Sequence, residues 1–426
     1  MKKNNTRYSV FFGNIVKIFR VACFGFLVSS TVHIAYAQDL TISVDPRNTN
    51  QHVAFGGDGK LTIKDWAEVN VNVTAQKLYS DMDLSILRVP IFALQPISDN
   101  IYDNVITVVQ AVQSVNPQVK IFASIANGDG YGVDHHGASK FPESMRGCCA
   151  NNVYTLNLTA YAAYLDSFMR RMNEAGVNID YLGPWNEDPA SESDYSKTFS
   201  QMNNLGNTQK IGLEAWGLLT SVSNVDKIEG HTDIIGSHFY DDGRINDQDA
   251  AWANLVNASS NPVWYTEATR YATADNIGLL VAGMDNIFPS IRSGAEAVVF
   301  YQVVKRFVYA NGSELPIKYS GFKNLVNNAS GKAVAQTTSS DGNVSAVSFA
   351  NDNTLSIHII NKNTSSQQAN INLGSNQKAS GTITRTIWDG SNTEVSNQYN
   401  LGGNKTWNVT LPANSYVHLN VPFIDD

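Results

Sequence analysis

Two glutamates stand where strand-like segments of this 426-residue chain end. Glu187 follows the apolar run Tyr181–Trp185, and Glu267 follows the run Val263–Thr266. In a parallel α/β barrel, side chains at the carboxyl ends of the strands meet in one site. Two facing carboxylates are the pair that glycoside hydrolysis needs, because one protonates the leaving oxygen while the other attacks the anomeric carbon or activates water. A single glutamate after a strand is more often a solvated loop residue, so the prediction depends on the pair.

A glycine-rich stretch after the third strand-like segment is the main competing constellation. It reads Asn127-Gly128-Asp129-Gly130-Tyr131-Gly132-Val133-Asp134-His135-His136 and places three possible metal ligands in a row. Consecutive residues do not converge on one ion as a helical His-x-x-x-His pair does, and the lysine and serine spacing of a P-loop is lacking. We therefore expect neither a metal nor a nucleotide here, and we place Asn127 in the wall of the substrate cleft.

The elements that must position these residues follow a repeating pattern. Hydrophobic residues make up 43% of the chain and charged residues 16%, which is typical of a globular protein with a large core. From residue 51 to residue 330, eight strand-like runs alternate with helical patterns such as Leu158–Ala175, and this predicts a (β/α)8 TIM barrel, an α/β fold. The predicted strands are His52–Phe55, Ser85–Val89, Val119–Ser124, Tyr181–Trp185, Lys210–Glu214, Ile234–Phe239, Val263–Thr266 and Ala297–Tyr301.

Beyond Gly331 the pattern changes to short alternating segments separated by turn residues, which predicts an attached antiparallel β-sandwich domain. Leu40–Val44 is another strand, before the barrel, and we expect it to complete the sandwich from the other end of the chain. The predicted domain therefore consists of residues 38–50 plus 331–426. Its C-terminal strands are predicted at Ala346–Phe349, Leu355–Asn361, Gln368–Leu373, Gly381–Trp388, Thr406–Val409 and Ser415–Val421.

The first 37 residues resemble a secretory signal peptide. They have a basic start, an apolar run at Val21–Val28 and a closing Ala35-Tyr36-Ala37, so we expect cleavage after Ala37 and a secreted or periplasmic protein. The run is too short to remain as a membrane anchor. Loss of the five positive charges of the first 37 residues would take the formal net charge from -8 to -13. Such a negative chain lacks the basic field that nucleic-acid binding requires.

Cleavage would leave two cysteines, the adjacent pair Cys148 and Cys149. Adjacent Cα atoms lie about 3.8 Å apart, below the usual span of a disulfide. Two interpretations stay open, a strained vicinal disulfide or two thiols that shape a loop. Neither is a disulfide framework or a zinc site.

The two glutamate motifs together resemble the retaining glycoside hydrolases of clan A. They read Asn186-Glu187 after the fourth strand and Trp264-Tyr265-Thr266-Glu267 at the seventh. Within the clan the chain is most similar to glycoside hydrolase family 30, since Phe55-Gly56-Gly57 follows the first strand and Leu87-Arg88-Val89-Pro90 ends the second. The resemblance implies an acid/base at Glu187, a nucleophile at Glu267, and contact of Asn186 with the sugar 2-hydroxyl. Asp188 stands before Pro189 here, whereas the family has Asn-Glu-Pro.

The resemblance also implies residues that support the nucleophile. Arg88 resembles the clan's arginine below the nucleophile, and its structural alternative is a core salt bridge. Tyr240 is expected to donate its hydroxyl to Glu267 and keep that carboxylate ionised. His238 lies two residues before Tyr240 and so shares a face of the strand, with a buried structural histidine as its alternative.

Aromatic side chains at strand ends are candidates for stacking on the apolar faces of sugar rings. Trp185 and Tyr265 are expected to bind substrate in this way because they adjoin the two glutamate motifs. Trp216 and Tyr301 are further candidates, although aromatic residues at such positions more often serve packing.

These observations predict a secreted retaining β-glycoside hydrolase, an endo-acting glycanase that cleaves a β-linked polysaccharide by double displacement. We expect no cofactor, a polysaccharide or oligosaccharide substrate, no nucleic-acid partner, no membrane partner after signal cleavage, and a monomer. Two alternatives remain open: a clan A hydrolase of another family that acts on a marine or plant-wall galactan, and a non-catalytic carbohydrate-binding barrel.

Overall fold

The computed structural model describes residues 40–126, 143–150, 153–187, 190–240, 242–268, 272–391 and 394–426. The predicted signal peptide, Asn127 with its glycine-rich loop, and Asp188 lie outside the described residues. None of the helices among these residues is long and apolar enough to cross a membrane.

The described residues form twenty strands and ten α-helices. The strands are β1 (Leu40–Thr49), β2 (Ala54–Asp58), β3 (Ile86–Ile91), β4 (Lys120–Ile125), β5 (Arg146–Ala150), β6 (Val153–Leu156), β7 (Tyr181–Gly183), β8 (Gln209–Ala215), β9 (Ile234–His238), β10 (Val263–Ala268), β11 (Ala297–Tyr301), β12 (Ala333–Ser339), β13 (Val344–Ala350), β14 (Thr354–Asn361), β15 (Gln367–Leu373), β16 (Gln377–Ala379), β17 (Thr382–Trp388), β18 (Val395–Asn400), β19 (Thr406–Leu411) and β20 (Ser415–Asp425). The helices are α1 (Ile63–Val69), α2 (Val71–Ala75), α3 (Ile101–Val115), α4 (Leu158–Glu174), α5 (Glu192–Ser200), α6 (Leu218–Ile228), α7 (Gln248–Ala258), α8 (Ile277–Ser293), α9 (Val303–Arg306) and α10 (Pro316–Ala329).

Eight parallel strands close into a barrel in the order β2-β3-β4-β7-β8-β9-β10-β11, with β11 paired to β2. This confirms the predicted (β/α)8 TIM barrel. The lower interior is filled by apolar side chains from successive strands, which is how such barrels form a packed core rather than a pore. These side chains are Ile86, Phe122, Ile211, Ile234, Trp264 and Ala297.

The barrel helices form where apolar residues recur every three or four positions. In α4, predicted at Leu158–Ala175, Tyr161, Leu165 and Phe168 are buried against the barrel. The side chain of Asn157 caps the helix by accepting a hydrogen bond from the Ala160 amide at 3.1 Å.

The attached domain is a ten-stranded, mostly antiparallel sheet that encloses a hydrophobic core of its own. Its main order is β18-β17-β20-β14-β13-β12-β1-β15-β19, and β16 pairs with β20. The predicted antiparallel β-domain is therefore confirmed, with one exception in the pairing, because β1 and β15 run parallel. β1 comes from the beginning of the described chain and pairs with β12 on its other side. The strands β12, β16 and β18 were not predicted.

Sheet and barrel belong to one compact unit, residues 39–426. The Trp388 indole donates a hydrogen bond to Ser320 Oγ at 2.9 Å, and the Tyr416 hydroxyl donates to Asn324 Oδ1 at 2.9 Å, so both reach from the sheet to α10. The rings of Trp388 and Tyr416 are buried in the same core as the barrel helices.

The backbone of Cys148 and Cys149 lies in the short hairpin formed by β5 and β6. Their side chains lie outside the described part of the structure. Both interpretations of this pair, the vicinal disulfide and the two thiols, therefore stay predictions.

Candidate active site

Both predicted glutamates meet at the carboxyl ends of the barrel strands. Glu187 Oε1 lies 2.7 Å from His238 Nδ1, and the other ring nitrogen of His238 lies 3.7 Å from Glu267 Oε2. Tyr240 donates its hydroxyl to Glu267 Oε1 at 2.6 Å. A carboxylate oxygen of Glu187 lies within 4.8 Å of one of Glu267. Residues from three parts of the sequence thus converge on one small space.

Arg88 lies beneath the nucleophile candidate and is fully buried. Its Nη1 donates to Glu267 Oε2 at 2.7 Å and to Asp58 Oδ2 at 2.8 Å, and its Nη2 donates to Glu214. A buried guanidinium is tolerated only when carboxylates and hydrogen bonds compensate its charge, and three carboxylates do so here. The two readings of Arg88, a contact to the nucleophile and a core salt bridge, therefore describe the same arrangement.

Lys60 is a second buried cation, which the sequence analysis missed. Only 3% of the residue is exposed, and its Nζ donates to Asn186 Oδ1 at 2.9 Å and lies 3.4 Å from Glu267 Oε2. It follows the first barrel strand in the segment Gly57-Asp58-Gly59-Lys60. A lysine at the carboxyl end of a predicted barrel strand was the available signal, since charged residues at that place line the site.

Asn186 is held in one orientation by these two cations. Its Oδ1 accepts hydrogen bonds from Arg88 Nη2 at 2.5 Å and from Lys60 Nζ at 2.9 Å. The flipped amide would place its NH2 donors against two cations, which cannot accept hydrogen bonds. The orientation of this amide therefore follows from the charges around it.

Glu214 is another residue that sequence reasoning missed, and its backbone is strained. Both Leu213 (φ 65°) and Glu214 (φ 39°) have left-handed backbone conformations, and the pairing of β8 with β9 is irregular there. The Glu214 carbonyl accepts a hydrogen bond from the Glu187 amide at 2.9 Å. A Cβ on Gly183 would lie 1.8 Å from Glu214 Oε1, so glycine at position 183 makes room for this carboxylate. Such strain is typical of functional sites.

The surroundings of Glu267 keep its carboxylate ionised. Burial by itself raises the pKa of Glu267, but electrostatic interactions with His238, Lys60 and Arg88 and the hydrogen bond from Tyr240 outweigh burial, so the pKa lies well below its ordinary value. Burial and the adjacent Glu267 raise the pKa of Tyr240, which therefore stays a hydrogen-bond donor. An ionised carboxylate of this kind suits a nucleophile.

Two predicted substrate contacts are not formed. Trp185 is 5% exposed and packs between the rings of Tyr161 and Tyr195, at centroid distances of 5.7 and 4.6 Å. Tyr265 is fully buried, and its hydroxyl donates to Asn286 in α8 at 2.8 Å. Neither ring lies open to a sugar, so the prediction of stacking is wrong for both.

The physical reason is clearest at Tyr265. Strand alternation would place Tyr265 and Glu267 on the same face, because they are two residues apart. The pairing of β10 with β9 shifts between these two residues, so Tyr265 faces the helices while Glu267 faces the site. A β-bulge of this kind redirects side chains and leaves no simple trace in the sequence.

Glu187, His238 and Glu267 could each offer one ligand atom to a metal ion. Arg88 and Lys60, however, already donate to Glu267 Oε2, and two cations at 2.7 and 3.4 Å disfavour a third. The donor set therefore fits acid and base chemistry better than metal binding.

Comparison with known proteins agrees with this geometry at the level of the fold. No protein-family model matches the chain, and no curated protein matches its sequence. Among solved structures, a family 30 endoxylanase from Clostridium papyrosolvens superposes with a TM-score of 0.69 at 18% identity, covering 90% of this chain and 100% of that one. A glycoside hydrolase family 30 subfamily 8 xylanase from Clostridium acetobutylicum gives 0.69 at 17% identity, covering 90% and 99%. An endo-β1,6-glucanase gives 0.61 at 13% identity, covering 90% and 94%.

At such identities the likeness establishes the fold. The chain has the fold of the family 30 glycoside hydrolases, a TIM barrel with an attached β-domain, as the sequence motifs predicted.

Proposed function

We propose that this protein is a retaining β-glycoside hydrolase in which Glu267 is the nucleophile and Glu187 the general acid/base. The observation that carries the proposal is the pair of carboxylates with oxygens within 4.8 Å of each other, one of them held as an anion by Arg88, Lys60 and Tyr240. Retaining enzymes need about 5 to 5.5 Å between the two groups, whereas inverting enzymes need about 6.5 to 9.5 Å to admit a water. The close pair favours retention.

In the first step Glu267 attacks the anomeric carbon, and Glu187 gives its proton to the leaving glycosidic oxygen. In the second step, Glu187 takes a proton from water. The water oxygen then bonds to the anomeric carbon as the ester bond to Glu267 breaks, and the sugar is released with its original configuration. Tyr240 and Arg88 each bond one oxygen of Glu267 and so hold the carboxylate in place. His238 holds Glu187 through Nδ1.

The substrate we propose is a β-linked polysaccharide cleaved internally. The similar structures include two xylanases and an endo-β1,6-glucanase, which supports this class of substrate without selecting the sugar.

We also propose export after cleavage at Ala37, on the basic and apolar pattern of the first 37 residues. Mass spectrometry of protein from the culture medium should find Gln38 at the N-terminus, and an intact N-terminus on exported protein would contradict the cleavage.

The decisive experiment is early-time proton NMR of sugar released from a panel of β-linked glycans. We expect the β-anomer to appear first, and an α-anomer first would refute Glu267 as nucleophile. Glu267→Gln should abolish turnover, whereas the matched substitution Glu174→Gln, at an exposed end of α4, should not alter it. Wild-type protein that binds these glycans without cleaving any of them would support the non-catalytic barrel instead.

A further inference from the structure

An exposed aromatic ring packs on Tyr240, the residue that bonds the proposed nucleophile. Trp216 follows β8 directly and is 48% exposed, although large aromatic side chains are usually well buried. Its ring stacks on that of Tyr240, with centroids 4.3 Å apart and planes at 29°. Tyr240 therefore contacts Glu267 through its hydroxyl and the solvent-exposed ring of Trp216 through its own ring.

The position of this surface is fixed by the backbone. The carbonyl of Trp216 accepts a hydrogen bond from the Tyr240 amide at 3.1 Å. Leu219, three residues further along the chain, is 47% exposed and adds a second apolar side chain to this edge of the barrel. Leaving two such side chains in water costs free energy that binding of an apolar surface would recover.

The surface lies on the side of the general acid. Glu187 follows β7, and its amide is hydrogen-bonded to Glu214 in β8, the strand that leads into Trp216. Lys60 follows β2 and Arg88 lies in β3, and neither of these strands is a neighbour of β8 in the barrel. Because Glu187 protonates the leaving oxygen, the leaving part of the substrate must lie on its side of the anomeric carbon.

We propose that Trp216 is the platform of a subsite that binds the leaving-group sugar of the substrate, or an acceptor sugar after the first step. The ligand class is a β-linked pyranose, whose axial C–H bonds present an apolar face to an aromatic ring. This inference rests on the proposed hydrolase function. It also gives a route to transglycosylation: the acceptor hydroxyl loses its proton to Glu187, and its oxygen bonds to the anomeric carbon as the ester to Glu267 breaks.

The test compares two substrates of one sugar in Trp216→Ala. Xylobiosyl fluoride places only fluoride on the leaving side, whereas xylohexaose places sugars there; gentiobiosyl fluoride and gentiohexaose serve if β-1,6-glucan is the substrate. We expect the ratio of kcat/KM for the hexasaccharide to kcat/KM for the fluoride to fall about tenfold. Transfer to added xylobiose or gentiobiose should fall relative to hydrolysis. Ile424→Ala is the control, because Ile424 is also an apolar side chain that is 48% exposed and it lies in β20 of the attached sheet.

The outcomes separate the subsite from other roles. If Trp216 only positions Tyr240, both substrates lose activity equally, the ratio is unchanged, and the subsite is refuted. An unchanged ratio with full activity refutes it as well. Wild-type protein that cleaves no β-linked glycan of the panel and no β-glycosyl fluoride overturns the proposed hydrolase, and the subsite falls with it. Trp216→Phe, which keeps an aromatic face, should restore most of the ratio.

Discussion

Replacing Lys60 by methionine tests whether nearby charges keep Glu267, the proposed nucleophile, ionised. Methionine has a similar length and is apolar, so the change removes the charge and little of the volume. The ammonium lies 3.4 Å from Glu267 Oε2. At that distance two unit charges attract each other by about 1 kcal/mol in water and by about 5 kcal/mol at an effective dielectric of about 20.

These energies translate into a pH effect that kinetics can measure. About 1.4 kcal/mol corresponds to one pH unit, so the acid limb of kcat/KM should move upward by about one to three pH units in Lys60→Met. Arg88, His238 and Tyr240 still face Glu267 in the variant, which keeps the shift below the upper limit. The direction follows from the loss of a positive charge that stabilises the carboxylate.

The assay is kcat/KM on a glycosyl fluoride across the pH range in which far-UV circular dichroism shows a folded protein. A fluoride leaving group needs little help from a general acid, so the acid limb should report the ionisation of Glu267, the proposed nucleophile. Lys332→Met is the control, because Lys332 is a partly buried lysine whose Nζ donates to a helix carbonyl, Asn328 O, away from Glu267. An acid limb that stays in place in folded Lys60→Met would refute the role of Lys60.

Three further predictions follow from the geometry. Glu187→Gln should slow cleavage of glycosides with poor leaving groups far more than cleavage of aryl glycosides with good ones; equal losses, measured as kcat/KM, would remove Glu187 from the acid role. Gly183→Ala should cost about 2 kcal/mol or more of unfolding free energy, since its Cβ would meet the carboxylate of Glu214, whereas Gly342→Ala, in open space, should be neutral in urea denaturation. Burial lowers the pKa of His418 to about 3, so its unfolded form takes up a proton below its usual pKa of about 6.5 while the folded form does not. His418 should therefore lower stability by about 1.4 kcal/mol for each unit that the pH drops through this window, and replacing it by asparagine should reduce the slope by that amount.

Most of the barrel could be predicted from the sequence because its signals are local. Apolar runs that alternate with helical patterns predicted all eight barrel strands, and the helical spacing of apolar residues predicted α4 to within one residue of its observed end. The positions of Glu187 and Glu267 at strand ends followed from the same pattern, because parallel strands bring their carboxyl ends to one side. The edge strand β18 was missed, since its residues are mostly exposed and polar and carry no hydrophobic alternation.

The charges around Glu267 were decided only by the tertiary structure. Lys60 reaches Asn186 and Glu267 across 126 and 207 residues of sequence, and Arg88 reaches Glu214 across 126. The sequence near Lys60 and Glu214 shows that each follows or ends a barrel strand, but it does not show which opposite charges they meet. Closure of the barrel brings β2, β3, β8 and β10 around one buried space, where each charge must find an opposite partner to offset its lost hydration.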